Sequence, residues 1–167
     1  MQTDVASPGD ILEADHRELD GLLAALLDEL KADGPDPRAT YHRLDLFWAR
    51  LAVHIRAEHL VLFPAMFAAA GEDARAALTA TLAELRHDHD FFMNQLARAV
   101  KALRLVPDFG NETETFLVIR QLIEAVAKRL ERHNEIEEKS IYTLADGTAS
   151  IRSRISKELE NLPGRFS

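Results

Sequence analysis

Apolar residues recur at three- and four-residue intervals through four long segments, the signature of amphipathic helices that each turn one face to a common core. In the first segment the stripe is Leu12, His16, Leu19, Leu23, Leu26 and Leu30. In the second it is Leu44, Phe47, Leu51, His54, Glu58 and Leu62, and in the third Leu78, Leu82, Leu85, His89, Phe92, Leu96 and Leu103. The fourth reads Phe116, Ile119, Ile123, Val126, Leu130, His133, Glu137, Ile141 and Leu144. Gly and Pro collect at the breaks, where they punctuate rather than continue a helix. Ser7 caps and Pro8 opens a first helix that runs to about residue 31, and Asp36-Pro37 opens a second that reaches about residue 70, kinked near Pro64 by the missing N–H. A third helix is expected over about 73–105 and a fourth from a cap at Asn111 or Thr113 to about 145, after the break at Pro107 to Asn111. A short amphipathic fifth, about 150–162, carries Ile151, Ile155, Leu159 and Leu162 and is expected to cover the core. Short connections between long helices predict an all-α chain, an antiparallel up-down four-helix bundle with a short C-terminal helix. The whole of 1–167 reads as one domain, its bundle core at about 8–145.

Each long stripe is interrupted by polar residues that the helical phase sends into the core. An isolated ionised carboxylate in a low-dielectric interior costs on the order of tens of kcal/mol and in practice neutralises or finds a counter-charge. Two carboxylates close together oppose each other's ionisation. No Lys or Arg shares the stripes with Glu58 and Glu137, so a multivalent cation is the missing partner, with imidazole nitrogen and carboxylate oxygen as its ligands. Residues at i and i+4 lie one above the other on a helix, which makes His54–Glu58 and His133–Glu137 paired donors. Four histidines and two glutamates suit two ions, each held by two imidazoles, with both carboxylates able to bridge. The candidate metal ligands are His16, His54, Glu58, His89, His133 and Glu137.

Composition narrows the chemistry further. There is no cysteine among the 167 residues, which removes thiolate ligands, disulfides and iron–sulfur clusters. A net charge of −8 without a basic stripe argues against a nucleic-acid partner. Neither a signal peptide nor a run of about 20 uncharged apolar residues stands out, so the expectation is a cytoplasmic protein with no membrane partner.

The two halves of the chain echo each other. Asp15-His16 and later His54-x3-Glu58, followed by Leu62-Phe63, answer to Asp88-His89 and later His133-x3-Glu137, followed by Ile141-Tyr142. In these residues the chain resembles the hemerythrin-like (HHE cation-binding) family, over about residues 10 to 145. The resemblance implies a non-haem di-iron centre: two iron ions with an oxygen-derived bridge and an open position for a small ligand such as dioxygen, nitric oxide or peroxide. It also shows a departure. Oxygen-carrying members have a second third-helix histidine one turn earlier, where this chain has Leu85; a water, a Glu or a Tyr is left to supply that donor.

The remaining polar candidates read as less central. His87 falls off the third-helix stripe, His42 lies on a surface face, and His59 points away from the stripe as an outer or surface residue. Asp15 and Asp88 are read as solvated charges in preference to partners of an imidazole. Trp48, Phe91 and Phe92 are read as packing. The functional expectation is a metal and small-ligand binding protein in dioxygen, nitric oxide or iron handling. Redox turnover at the same metals and a structural zinc are the alternatives.

Overall fold

In the computed structural model, which describes residues 6–106 and 112–165, every regular element is helical. The elements are α1 (Pro8–Lys31), α2 (Pro37–Ala57), a π-helical turn π1 (Glu58–Leu62), α3 (Phe63–Ala69), α4 (Glu72–Arg104), α5 (Glu112–Ile136), a second π-helical turn π2 (Glu137–Tyr142), α6 (Thr143–Gly147) and α7 (Ala149–Glu160). The starts follow the local chemistry. Ser7 and Asp10 form a reciprocal capping box, the Ser7 hydroxyl accepting from the Asp10 N–H at 3.1 Å and the Asp10 carboxylate from the Ser7 N–H at 3.2 Å. Asp36 caps α2 through the Arg38 N–H at 3.1 Å. Thr113 lies inside α5, so it is not a cap; the break at Pro107 and the alternative cap Asn111 fall outside the described residues.

Helix α1 packs against α2 and α5, and α4 packs against the same two. Two apolar clusters fill the space between them. One gathers Leu19, Leu51, Phe92 and Leu130 with the residues beyond them; the other gathers Leu12, Leu62, Leu85 and Ile141. Helices α1 and α4 cross from the second cluster to the first, whereas α2 and α5 cross from the first to the second. Between the clusters lies a layer of buried polar residues: His16, His54, Glu58, His89, His133 and Glu137. The short fifth helix of the expectation, now α7, buries Ile151, Ile155 and Leu159 against α1, π1 and α3.

The stripe predicted for the fourth segment holds down to Ile141 and then fails. Leu144 is 47% exposed, and Tyr142 and Ala145 are buried in its place. The cause is π2, whose wider i→i+5 turn shifts the helical phase by one residue. Pro64 was expected to kink the second helix. The structure has π1 just before that proline, and π2 occurs at the equivalent place with no proline. Both turns begin at a buried glutamate, Glu58 or Glu137.

By length and composition alone the stretch Pro37–Ala69 could pass for a membrane-crossing helix, its most apolar 18 residues having a mean hydropathy of 1.3, although charged residues such as Arg56 and Glu58 interrupt it. Half of that 18-residue window is buried inside the fold, as in the core helix of a globular protein.

Candidate metal centre

The six predicted residues converge. The Nε2 atoms of all four imidazoles point inward: His16 Nε2 lies 3.2 Å from His54 Nε2, and His89 Nε2 lies 3.0 Å from His133 Nε2. Glu58 spans the two pairs, with Oε1 3.3 Å from His54 Nε2 and Oε2 3.2 Å from His89 Nε2. Glu137 does the same from the other side, with Oε2 3.3 Å from His16 Nε2 and Oε1 3.1 Å from His133 Nε2. The result is two four-donor groups, His16–His54–Glu58–Glu137 and Glu58–His89–His133–Glu137, each with its ligand atoms within 4.8 Å of one another. The glutamates belong to both.

The outward ring nitrogens explain why the inward ones are free to ligate. His16 Nδ1 lies 2.7 Å from Glu138 Oε1, His54 Nδ1 lies 3.0 Å from Asp15 Oδ2, and His133 Nδ1 lies 3.2 Å from Asp88 Oδ2. A carboxylate can only accept, so each of these Nδ1 atoms carries a proton, and a ring that gives up its second proton presents its lone pair at Nε2. His89 Nδ1 is held by His59 Nε2 at 2.8 Å. Asp15 and Asp88, expected to be solvated, are thus partners of imidazoles. Sequence adjacency misled here, because each reaches across to the next helix of its own half and supports His54 or His133, not the histidine beside it. His59 also supports an imidazole. His87 and His42 are exposed, as expected. Phe92 is buried, and Trp48 and Phe91 pack at the edge of the same cluster.

In their neutral form the rings of His16, His54 and His133 aim lone pairs at one another's neighbours and at two carboxylates, an arrangement that repels unless positive charge lies among them. Glu58 Oε2 and Glu137 Oε1 are buried and have no hydrogen bond of good geometry. Such orphaned acceptors are costly in a native interior. The electrostatics point the same way. Burial disfavours the charged form of His54, but Glu58 and Asp15 outweigh it and raise the ring to about 10. For His133 burial is likewise overcome, chiefly by Glu137. Burial would lift Glu58, yet the adjoining His54 and His89 hold it well below the usual carboxylate range. Without a metal the layer draws in protons, and a metal cation offers the same charge with directional bonds. The donors present, imidazole nitrogen and carboxylate oxygen without sulfur, fit iron and also fit zinc.

Tyr142 is the residue that the sequence pattern missed. Its hydroxyl is fully inside the layer, donating to Glu58 Oε1 at 2.7 Å, with Glu137 Oε2 at 3.2 Å and His16 Nε2 at 3.0 Å. Burial, then the charges of Glu137 and Glu58, push the phenol well above its usual range, so the proton stays on. In an α-helix a residue five positions on is turned by about 140°; the π turn brings Tyr142 back over Glu137. The matching residue of the first half is Phe63, whose ring stacks on His89 at a centroid distance of 6.2 Å. Tyr142 sits on the His16–His54 side, so it does not supply the donor missing at Leu85, which is buried among apolar residues.

The family model for the hemerythrin HHE cation binding domain matches residues 7–145, and the chain belongs to that family. No curated protein matches the chain, and no solved structure does.

Proposed function

We propose that this protein holds two iron ions at the centre of an antiparallel up-down four-helix bundle and uses them to bind a small ligand, dioxygen, nitric oxide or peroxide, or to handle or sense iron. His16 and His54 hold one ion, His89 and His133 the other, and Glu58 and Glu137 are shared. The observation that carries this reading is the sharing itself: each carboxylate places one oxygen near each histidine pair, the disposition that a bridged two-ion centre requires. The reversal of direction between α1, α2, α4 and α5 supports the bundle. Leu85, which gives the His89–His133 side no further protein donor, supports an open coordination position there. When bound, an iron pair supplies redox-active sites for a small ligand. The chain's own residues hold the imidazoles in one tautomer, exclude bulk water and keep a hydroxyl beside the shared carboxylates.

Metal analysis of the protein from its native host tests the reading, with two irons per chain expected. Anaerobic loading with ferrous iron followed by air is expected to produce visible absorption. A colourless product, or native protein carrying zinc alone, contradicts the iron assignment.

A second reading, turnover of peroxide or nitric oxide at the same centre, draws on Tyr142, a hydrogen-bond donor inside the ligand layer. On that reading Tyr142→Phe keeps two ions per chain but loses turnover at least about tenfold, in keeping with the 10²–10⁴-fold typical of a positioned proton donor. Equal turnover by the variant and the parent removes it.

A further inference from the structure

The family match stops at residue 145, yet a contact from beyond it reaches the candidate centre. Helix α7 docks through Ile151, Ile155 and Leu159, and the chain then turns back on itself. The Leu162 N–H bonds to Leu159 O at 3.3 Å and the Arg165 N–H to Leu162 O at 3.2 Å. Pro163 O accepts from Arg56 Nη1 at 3.2 Å, tying the segment to α2. Gly164 has φ 89°, a left-handed conformation that a side chain resists, and this reversal delivers the next residue to the fold.

That residue is Arg165. Its guanidinium makes a two-pronged contact with Asp15, Nη1 to Oδ2 at 2.7 Å and Nη2 to Oδ1 at 2.9 Å. The side chain is only 10% exposed. Asp15 Oδ2 is the same oxygen that accepts from His54 Nδ1. Arg165, Asp15 and His54 are therefore one hydrogen-bonded series that runs from the surface to the ligand layer. The other half of the molecule has a counterpart, with Arg129 donating from Nε to Asp88 Oδ1 and Asp88 Oδ2 facing His133 Nδ1. The two differ in origin. Arg129 belongs to α5, inside the matched region, whereas Arg165 comes from outside it.

We propose that Arg165 is a positioning residue for the His16–His54 half of the metal centre: by fixing the Asp15 carboxylate it sets the orientation and tautomer of His54, and so the tightness with which that half keeps its ion. The proposal rests on the two-ion function above. Asp15 by itself is poorly restrained, since its side chain is 24% exposed and borders a small cavity of about 30 Å³ that Arg165 and His54 also line. A bidentate guanidinium holds both carboxylate oxygens in one plane, which a single hydrogen bond does not. Without it the carboxylate can rotate toward the cavity, water reaches the outer edge of His54, and the ring loses the partner that directs its lone pair inward. Removing the outer partner of a ligating histidine typically costs 10–100-fold in metal affinity. Arg165 acts one step further out, so the low end, about tenfold, is expected.

The test uses the full chain as wild type, Arg165→Ala, Arg165→Lys, Arg129→Ala and the Arg165→Ala/Arg129→Ala double variant. Each is loaded anaerobically with ferrous iron and then challenged with a chelator while metal release is followed. Thermal unfolding of the metal-free forms runs alongside. Wild type is expected to hold two ions and release both slowly. Arg165→Ala is expected to release one of two about tenfold faster and the other at the parental rate, and Arg165→Lys to fall between because it keeps the charge but not the fork. Arg129→Ala is expected to show the same two-phase release, and the double variant to lose both ions quickly. Parental release of both ions from Arg165→Ala overturns the proposal while leaving the two-ion function standing. So does equal acceleration of both ions together with a lowered melting temperature, which marks a merely structural role. A wild-type protein that takes up no iron overturns both this proposal and the function on which it rests.

Discussion

Every inward imidazole in the polar layer is held twice, once by a partner behind its Nδ1 (a carboxylate for His16, His54 and His133, the His59 ring for His89) and once by a carboxylate beside its Nε2. That arrangement makes protons and metal ions competitors. His54, raised to about 10 in the metal-free protein by Glu58 and Asp15 against the opposing effect of burial, keeps a proton at neutral pH that a ligating ring must give up. Metal uptake at pH 7 is therefore expected to release at least one proton per chain, and affinity to rise with pH up to about 10. Calorimetric titration in buffers of different ionisation enthalpy measures the release, and a heat independent of buffer contradicts it. The sign for stability follows from the same ring. A folded value raised above the ordinary imidazole value of 6.5 contributes stability that is present below that value and is lost as pH climbs through about 10. The metal-free fold is thus expected to weaken across that interval, and the loaded one to be insensitive. A second residue-scale prediction concerns the acceptor behind His133. Asp88→Asn is expected to weaken metal binding by about 10–100-fold with little change in helix content, because the amide no longer demands a proton on Nδ1. Equilibrium dialysis checks it, and unchanged affinity contradicts it.

At the scale of elements, the two π turns decide what the fold shows that a regular helical reading does not. Stripes at three- and four-residue spacing locate His16, His54, Glu58, His89, His133 and Glu137, because all six lie in or at the edge of regular α-helix. Past Glu137 the phase slips, so Leu144 is assigned to the core in error and Tyr142 is overlooked. Nothing in composition marks a π turn; only the contacts of the folded chain do. Two substitutions report on the slip. Leu144→Gln, on an exposed site, is expected to change stability by no more than about 0.5 kcal/mol. Ala145→Gln, on a fully buried one, is expected to cost about 1–3 kcal/mol by overpacking. Denaturant unfolding of the metal-free proteins compares them, and the reverse order contradicts the phase assignment.

For the molecule as a whole, the polar layer divides the apolar interior into two clusters, and its contacts repeat across the halves. Asp15 serves His54 as Asp88 serves His133, and Glu138 serves His16 as His59 serves His89. The repeat of Asp-His and His-x3-Glu was legible along the chain. The cross-over of these contacts was not, since it depends on which helices become neighbours. Arg165 was hidden for the same reason, lying 150 residues from Asp15. The repeat breaks at Glu138 against His59 and at Tyr142 against Phe63, so one half of the centre has more oxygen around it than the other. Both halves nevertheless lean on the same two glutamates. The most direct measurement is therefore the iron count per chain in the wild type and in Glu58→Gln, after anaerobic loading and removal of loosely held metal. Two irons falling to fewer than one is the predicted result, because a shared carboxylate serves both ions. A wild type with no bound iron, or a variant that still holds two, contradicts the account.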